Sequence, residues 1–253
     1  MTNNNNYLIS YRTLRQLIGV LGILLPFLCW GVNSFVNELD LLNNPAFINA
    51  DYPTHYQAAA NLKSSISHFY YTAAGPLFTG ILITVAIFLF CYNGYPQSKN
   101  DDKWYWLTDN RISDFAAICA LGIVTFPTGA ATGLSDNIHI YISSNKVGHI
   151  HLMFASLFFL AMALMSIVNF RRRPGKQFLR NAEGRLYLTC GIGIIVCLVA
   201  LGIYALAPSG ASWLWGKYVF ILEVVMLLFF GIAWLVKGKW VGSEIILQKL
   251  SKP

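Results

Sequence analysis

Charge is what this chain has least of. Asp, Glu, Lys and Arg make up 11% of its 253 residues, against 56% hydrophobic. A soluble globular domain carries about 25% charged residues, so this composition excludes an ordinary water-soluble fold and points to lipid. Signatures of common chemistry are missing as well. There is no Gly-rich phosphate loop, no Gly-x-Ser-x-Gly elbow and no His-Glu-x-x-His, so nucleotide binding, α/β-hydrolase and zincin mechanisms have no support in the sequence. The five cysteines, Cys29, Cys91, Cys119, Cys190 and Cys197, form no Cys-x-x-Cys and lie within or at the ends of apolar runs. That pattern excludes a disulfide framework and a zinc knuckle. No internal repeat is evident, and the lack of paired halves counts against a secondary transporter.

What is present is a series of six nearly charge-free stretches of 18 to 21 residues: 17–36, 73–92, 114–131, 151–170, 186–206 and 218–236. A helix rises ~1.5 Å per residue, so each is long enough to cross a hydrocarbon core of ~30 Å. The fold class predicted is all-α, a polytopic membrane helix bundle with six transmembrane helices in a single domain, 1–253. Orientation follows from the basic residues, which are retained on the cytoplasmic side of span ends. With the N-terminus inside, fifteen Lys and Arg fall on the cytoplasmic side and three, Lys63, Lys146 and Lys217, outside. Both termini are therefore expected in the cytoplasm, in a bacterial inner membrane. The net charge of +7 then reflects topology and attraction to anionic lipids, with no call for nucleic acid as a partner.

Local signals add detail. Thr54 followed by Gln57 has the spacing of a capped helix start, predicting a helix from His55 along the outer surface. Trp213 and Trp215 suit the outer headgroup boundary, as Trp104, Tyr105 and Trp106 suit the inner one. Pro76 and Pro127 are expected to kink spans two and three. Gly19, Gly22 and Gly31 in span one, and Gly191, Gly193 and Gly202 in span five, allow close helix approach, chiefly within the chain.

The polar residues are few and unevenly placed. All five histidines, His55, His68, His139, His149 and His151, fall in outer loops or at the outer ends of spans two and four. Glu223 stands alone in YVFILEVVMLLFFGIAWLV. A carboxyl at that depth has to be paired, hydrated or protonated, and such residues mark functional sites or buried tethers. It lies about 9 Å of helix in from Lys217, at a depth comparable with the outer histidines. A pocket of His68, Tyr71, His149, His151 and Glu223 is thus permitted. Imidazoles with one carboxylate are also the ligand set of a catalytic divalent metal such as zinc, and His68, His149, His151 and Glu223 are the candidates. His149 and His151 lie ~200° apart on a helix, so both reach one ion only if the helix begins between them. Helix capping and backbone hydrogen bonds are the structural alternatives for all of these groups. Catalytic candidates are Glu223, His68 and Asp114. Asp114 sits at the inner start of span three, where the helix dipole favours an acid.

Three sets of segments resemble a family of uncharacterised bacterial six-span proteins, a domain of unknown function. They are Ser67-His68-Phe69-Tyr70-Tyr71-Thr72 with Phe78-Thr79-Gly80, Asp109-Asn110-Arg111-Ile112-Ser113 with Phe126-Pro127-Thr128, and Leu222-Glu223 with the run Phe230 to Gly238. The resemblance implies a six-helix fold with Glu223 in its pattern, and no established activity. In addition, Ser64-x3-His68 and Asp114 are similar to the first two elements of the transmembrane zinc hydrolases that include alkaline ceramidases and adiponectin-receptor-like proteins. The last span departs from that pattern, with Glu223 where paired histidines belong, and His68 and Asp114 fall on opposite membrane faces. The sequence therefore predicts a membrane protein with an extracytoplasmic polar pocket for a lipid, small molecule or partner. A metal-dependent lipid hydrolase and a proton-coupled transporter are the alternatives.

Overall fold

The computed structural model describes residues 10–38, 62–94, 106–129, 145–172, 181–206, 216–240, 242 and 247. The helix predicted from Thr54 and His55, and the positions of His139, Trp104, Tyr105, Trp213 and Trp215, lie outside them. Among the described residues there are six α-helices and no strand: α1 (Tyr11–Glu38), α2 (Gly75–Phe90), α3 (Asp109–Thr125), α4 (Asn145–Leu164), α5 (Ala182–Ala205) and α6 (Tyr218–Lys237). A short 3-10 helix, Ile66–Tyr71, leads into α2, and α4 loosens at its end into a π-helical turn, Met165–Asn169. The chain is all-helical. Within the described residues, α1, α5, α6 and α4 with its π turn are long and apolar enough to cross a membrane, the make-up of a multi-pass membrane protein.

Boundaries differ from the apolar runs for identifiable reasons. α3 starts at Asp109, five residues before the run, because the Thr108 side chain accepts from the Arg111 N–H (3.2 Å) and caps the helix there. Asp109, rather than Asp114, is the acid of the first turn. The helix stops at Thr125, so Pro127 lies beyond it and kinks nothing. Pro76 sits in the first turn of α2, where its missing N–H costs no helical bond. Among the described residues, the proline in a helix interior is Pro26 of α1.

Each helix packs against its neighbours in sequence, and α1 closes on α6. That closure runs through glycines: a Cβ on Gly19 would stand 2.8 Å from the Gly231 carbonyl oxygen, and one on Gly231 would stand 2.7 Å from that of Gly19. Gly19 and Gly22, which meets the Phe230 ring, therefore serve a contact within the chain, whereas a Cβ on Gly31 would meet no neighbour among the described residues. Side chains such as Ile87, Ile118, Leu152, Val196 and Ile203 are exposed around the bundle, an arrangement suited to lipid and costly in water.

The helices alternate in direction, as their end contacts show. At one end the Arg12 guanidinium donates to the Lys239 carbonyl (2.7 Å), Asn169 to Asp109 (2.8 Å) and Lys237 to the Phe170 carbonyl (3.1 Å). At the other end the Phe220 N–H donates to the Ser64 carbonyl (3.0 Å), and His151 meets the Phe126 carbonyl just past α3 (2.7 Å). Arg12, Arg15, Arg111, Arg171, Arg172, Arg185, Lys237 and Lys239 gather at the first, the basic end. His68, His149 and His151 gather at the second, the histidine end.

Candidate functional site

The histidine end is organised by the 3-10 helix. Its N-cap, Ser65, makes no side-chain cap bond, because its hydroxyl is engaged with His68 Nδ1 (2.5 Å). Ser64 Oγ stands 3.3 Å from the same nitrogen. The N–H of Ile66, the first residue of this helix, would be left as an orphan donor. Glu223 takes it from α6: Oε2 accepts from the Ile66 N–H at 2.6 Å. The exchange is reciprocal, since Phe220 in the first turn of α6 donates its own N–H to the Ser64 carbonyl. Lys217 donates to the Leu62 carbonyl rather than to Glu223.

One residue further on, Ser67 Oγ lies 2.9 Å from His151 Nε2. The other ring nitrogen, Nδ1, meets two carbonyl oxygens, Phe126 at 2.7 Å and Ile123 at 3.2 Å. Carbonyl oxygens only accept, so Nδ1 bears the proton. In the neutral ring Nε2 then accepts from the Ser67 hydroxyl. His151 is 2% exposed, and its ring is fixed by backbone from α3 on one side and by the 3-10 helix on the other. Tyr71, also buried, donates its hydroxyl to the Thr128 carbonyl (2.6 Å).

Of the residues singled out in the sequence, His68, Tyr71, His151 and Glu223 come together around residues 64–72. His149 does not. α4 begins at Asn145, before both histidines, so the ~200° between them turns His149 to the exposed surface while His151 is buried. Asp114, partly buried, lies in α3 about 16 Å of helix from the Thr125 end, far from His68. The four-ligand metal site of His68, His149, His151 and Glu223 is not assembled. Among the described residues no three His, Cys, Asp or Glu side chains are placed to hold an ion, because the nitrogens of His151 and the Glu223 carboxyl are directed at serine and backbone groups. Burial, reinforced by the nearby His151, holds His68 below the ordinary histidine value of 6.5, and a backbone hydrogen bond with Gly129 partly opposes this.

The basic end has a second polar network, which the sequence reading passed over. Asp109, 3% exposed, accepts from the Asn169 amide (2.8 Å) and from the Tyr92 hydroxyl (3.2 Å). Gly94 lies against it so closely that a Cβ there would overlap the carboxyl. The Arg15 guanidinium stands over the Tyr92 ring at 5.3 Å, and Lys237 Nζ over Phe170 and Tyr187 at 5.2 and 5.8 Å. Trp234, fully buried, packs edge-on against Tyr92 and Phe170, with centroids 4.9 and 5.1 Å away. The sequence signal for Asp109 was its place directly after the capping Thr108.

No family model, curated protein or solved structure matches the chain. Its function therefore has to be read from the two ends of the bundle.

Proposed function

We propose that the chain is a six-span protein of the bacterial inner membrane with both termini in the cytoplasm. Its histidine end is an outward-facing site for a lipid or small molecule with a polar head. For the six spans, support comes from the alternating bundle: α2 and α3, with 16 and 17 residues, fall only about 5 Å short of a ~30 Å core. The gathering of Arg and Lys at one end favours that end as cytoplasmic. A green fluorescent protein fused after Pro253 should fluoresce; a dark fusion at normal expression would reverse the orientation.

One observation carries the site. Three consecutive residues, Ile66, Ser67 and His68, engage Glu223 of α6, His151 of α4 and Ser65 in turn. Two helices, α4 and α6, thus deliver an imidazole and a carboxyl to one short segment that carries its own hydroxyls, a convergence of polar groups at the bundle's end that suits ligand recognition. Mass spectrometry of small molecules retained by the purified protein tests this. A species held by the wild type and lost in both Glu223→Gln and Ser67→Ala is expected. Identical profiles in all three would remove the site.

The Ser67–His151 contact favours a second reading, metal-free acyl transfer. A nucleophile beside a base whose far nitrogen is fixed by a third group is the arrangement such chemistry uses. Ser67 Oγ would bond to an ester carbonyl carbon while its proton passes to His151 Nε2. His151 would return the proton to the departing alcohol, and water would then cleave the Ser67 ester. A fluorophosphonate probe should label Ser67 in the wild type and not in Ser67→Ala; an unlabelled wild type ends this reading.

A further inference from the structure

On the outside of the bundle, at the basic end, α3 and α4 leave a cavity of about 230 Å³ between them. Its walls are almost wholly apolar: Ile112 and Phe115 from α3, Leu160 and Leu164 from α4. Phe115 and Leu160 are 45% and 42% exposed, so the groove opens outward to the bilayer rather than into the core. Its volume is below the ~300–1,000 Å³ of sites that enclose a drug-sized ligand. It therefore suits one segment of a long chain whose remainder stays in lipid.

The groove is polar at one place only. Trp106 and Arg111 line it where α3 begins, at the end of the bundle where headgroups lie. The Arg111 guanidinium donates to the Trp106 carbonyl (3.0 Å), which holds it at the mouth. A second guanidinium, that of Arg172, donates to the carbonyl of Leu107 (2.9 Å), another lining residue. One fixed positive charge, that of Arg111, thus stands at the mouth of an apolar slot, with a Trp ring at interfacial depth. Guanidinium pairs with phosphate through parallel N–H donors, and basic pockets between helices on the cytoplasmic side hold anionic headgroups.

We propose that this groove binds an anionic diacyl phospholipid, one acyl chain lying between α3 and α4 and the phosphate meeting Arg111. The proposal is independent of the histidine end. It also needs no decision on orientation, since the groove and its charges share one end.

Native mass spectrometry of the delipidated full-length protein tests it, with phosphatidylglycerol and phosphatidylcholine of identical chains as probes. The wild type should hold phosphatidylglycerol about five-fold more tightly, the effect of one basic side chain near the surface. Arg111→Gln should abolish that preference, and Arg111→Lys should keep most of it. Leu160→Trp, which fills the slot, should weaken both lipids. Ile118→Trp, an exposed position of α3 that does not line the groove, should leave both unchanged. Equal retention of the two lipids by the wild type would overturn the proposal, as would Leu160→Trp behaving like Ile118→Trp. If Leu160→Trp fails to fold, Arg111→Gln decides: an unaltered headgroup preference rules the site out.

Discussion

The two ends of this bundle solve the same problem with different chemistry. Each has to satisfy helix ends and polar side chains next to an apolar interior, where an unpaired group costs several kcal/mol. The basic end does so by packing charge closely: Asp109 has two donors and Arg15 and Lys237 lie over aromatic rings, while Arg15 Nε and Asn169 Oδ1 are buried with no hydrogen-bond partner among the described residues. The histidine end uses hydroxyl, imidazole and carboxyl groups that converge on residues 64–68, with Glu223 and His151 reaching in from separate helices and His151 held by the Ile123 and Phe126 carbonyls as well. A segment joined to its neighbours through hydroxyl, imidazole and carboxyl groups can exchange those partners for a ligand's, which fits the site proposed at the histidine end, while the charged groups of the basic end tie helix ends together.

The sharpest way to break that distinction is to remove one group from each end and compare. Asp109→Ala takes a partner from the Asn169 amide, which keeps its bond to the Leu107 carbonyl, and from the Tyr92 hydroxyl in a buried site, and a cost of about 3 kcal/mol is expected from loss of one member of such a network. His151→Phe fills similar space and leaves the Ser67 hydroxyl and two carbonyls without their partner, for about 2 kcal/mol. Unfolding free energies in mixed micelles measure both. If His151→Phe costs more than Asp109→Ala, the ends have been assigned the wrong roles. Glu223→Gln should cost less than either, about 1 kcal/mol, because the amide oxygen still accepts from the Ile66 N–H. Glu223→Leu, which cannot accept, should exceed it in the same assay.

The helices were legible in the sequence because lipid demands long uncharged runs: a helix covers much of each run, and four of the six helices are long and apolar enough to cross a membrane. Their limits were not, since caps are local. Thr108 moves the start of α3 back to Asp109, and Ser10 caps α1 at Tyr11 by accepting from the Thr13 N–H (3.2 Å); Arg12 and Gln16 near that start then reach the carbonyls of Lys239 and Gly238, contacts that depend on the α1–α6 closure. At the histidine end, depth along each helix was enough to group His68, His151 and Glu223. Helical phase was not available until the start of α4 was known, which is why His149 was placed with them. Ser67 and Asn169 carried no signal of their own. Serine and asparagine at span ends are common, and what distinguishes these two is the helix each one meets.

The smallest expected effect separates the ends by proton linkage. His68, outside the helices that cross the membrane, has a folded-state affinity for protons below that of an ordinary histidine, from burial first and then from His151. In the unfolded chain it titrates near 6.5, so as the pH falls through that value the unfolded state binds a proton that the folded state does not. Stability is therefore fully present above 6.5 and declines below it, until the folded form protonates too. One group sets a slope of at most about 1.4 kcal/mol per pH unit. His68→Gln, which retains an amide able to meet Ser65, should flatten the stability curve between pH 6.5 and 5.5. Asp109→Ala should lower the same curve and leave its slope in that window intact. A slope as steep in His68→Gln as in the wild type would mean that acid acts elsewhere in the bundle. His68 would then not be the group that separates the two ends.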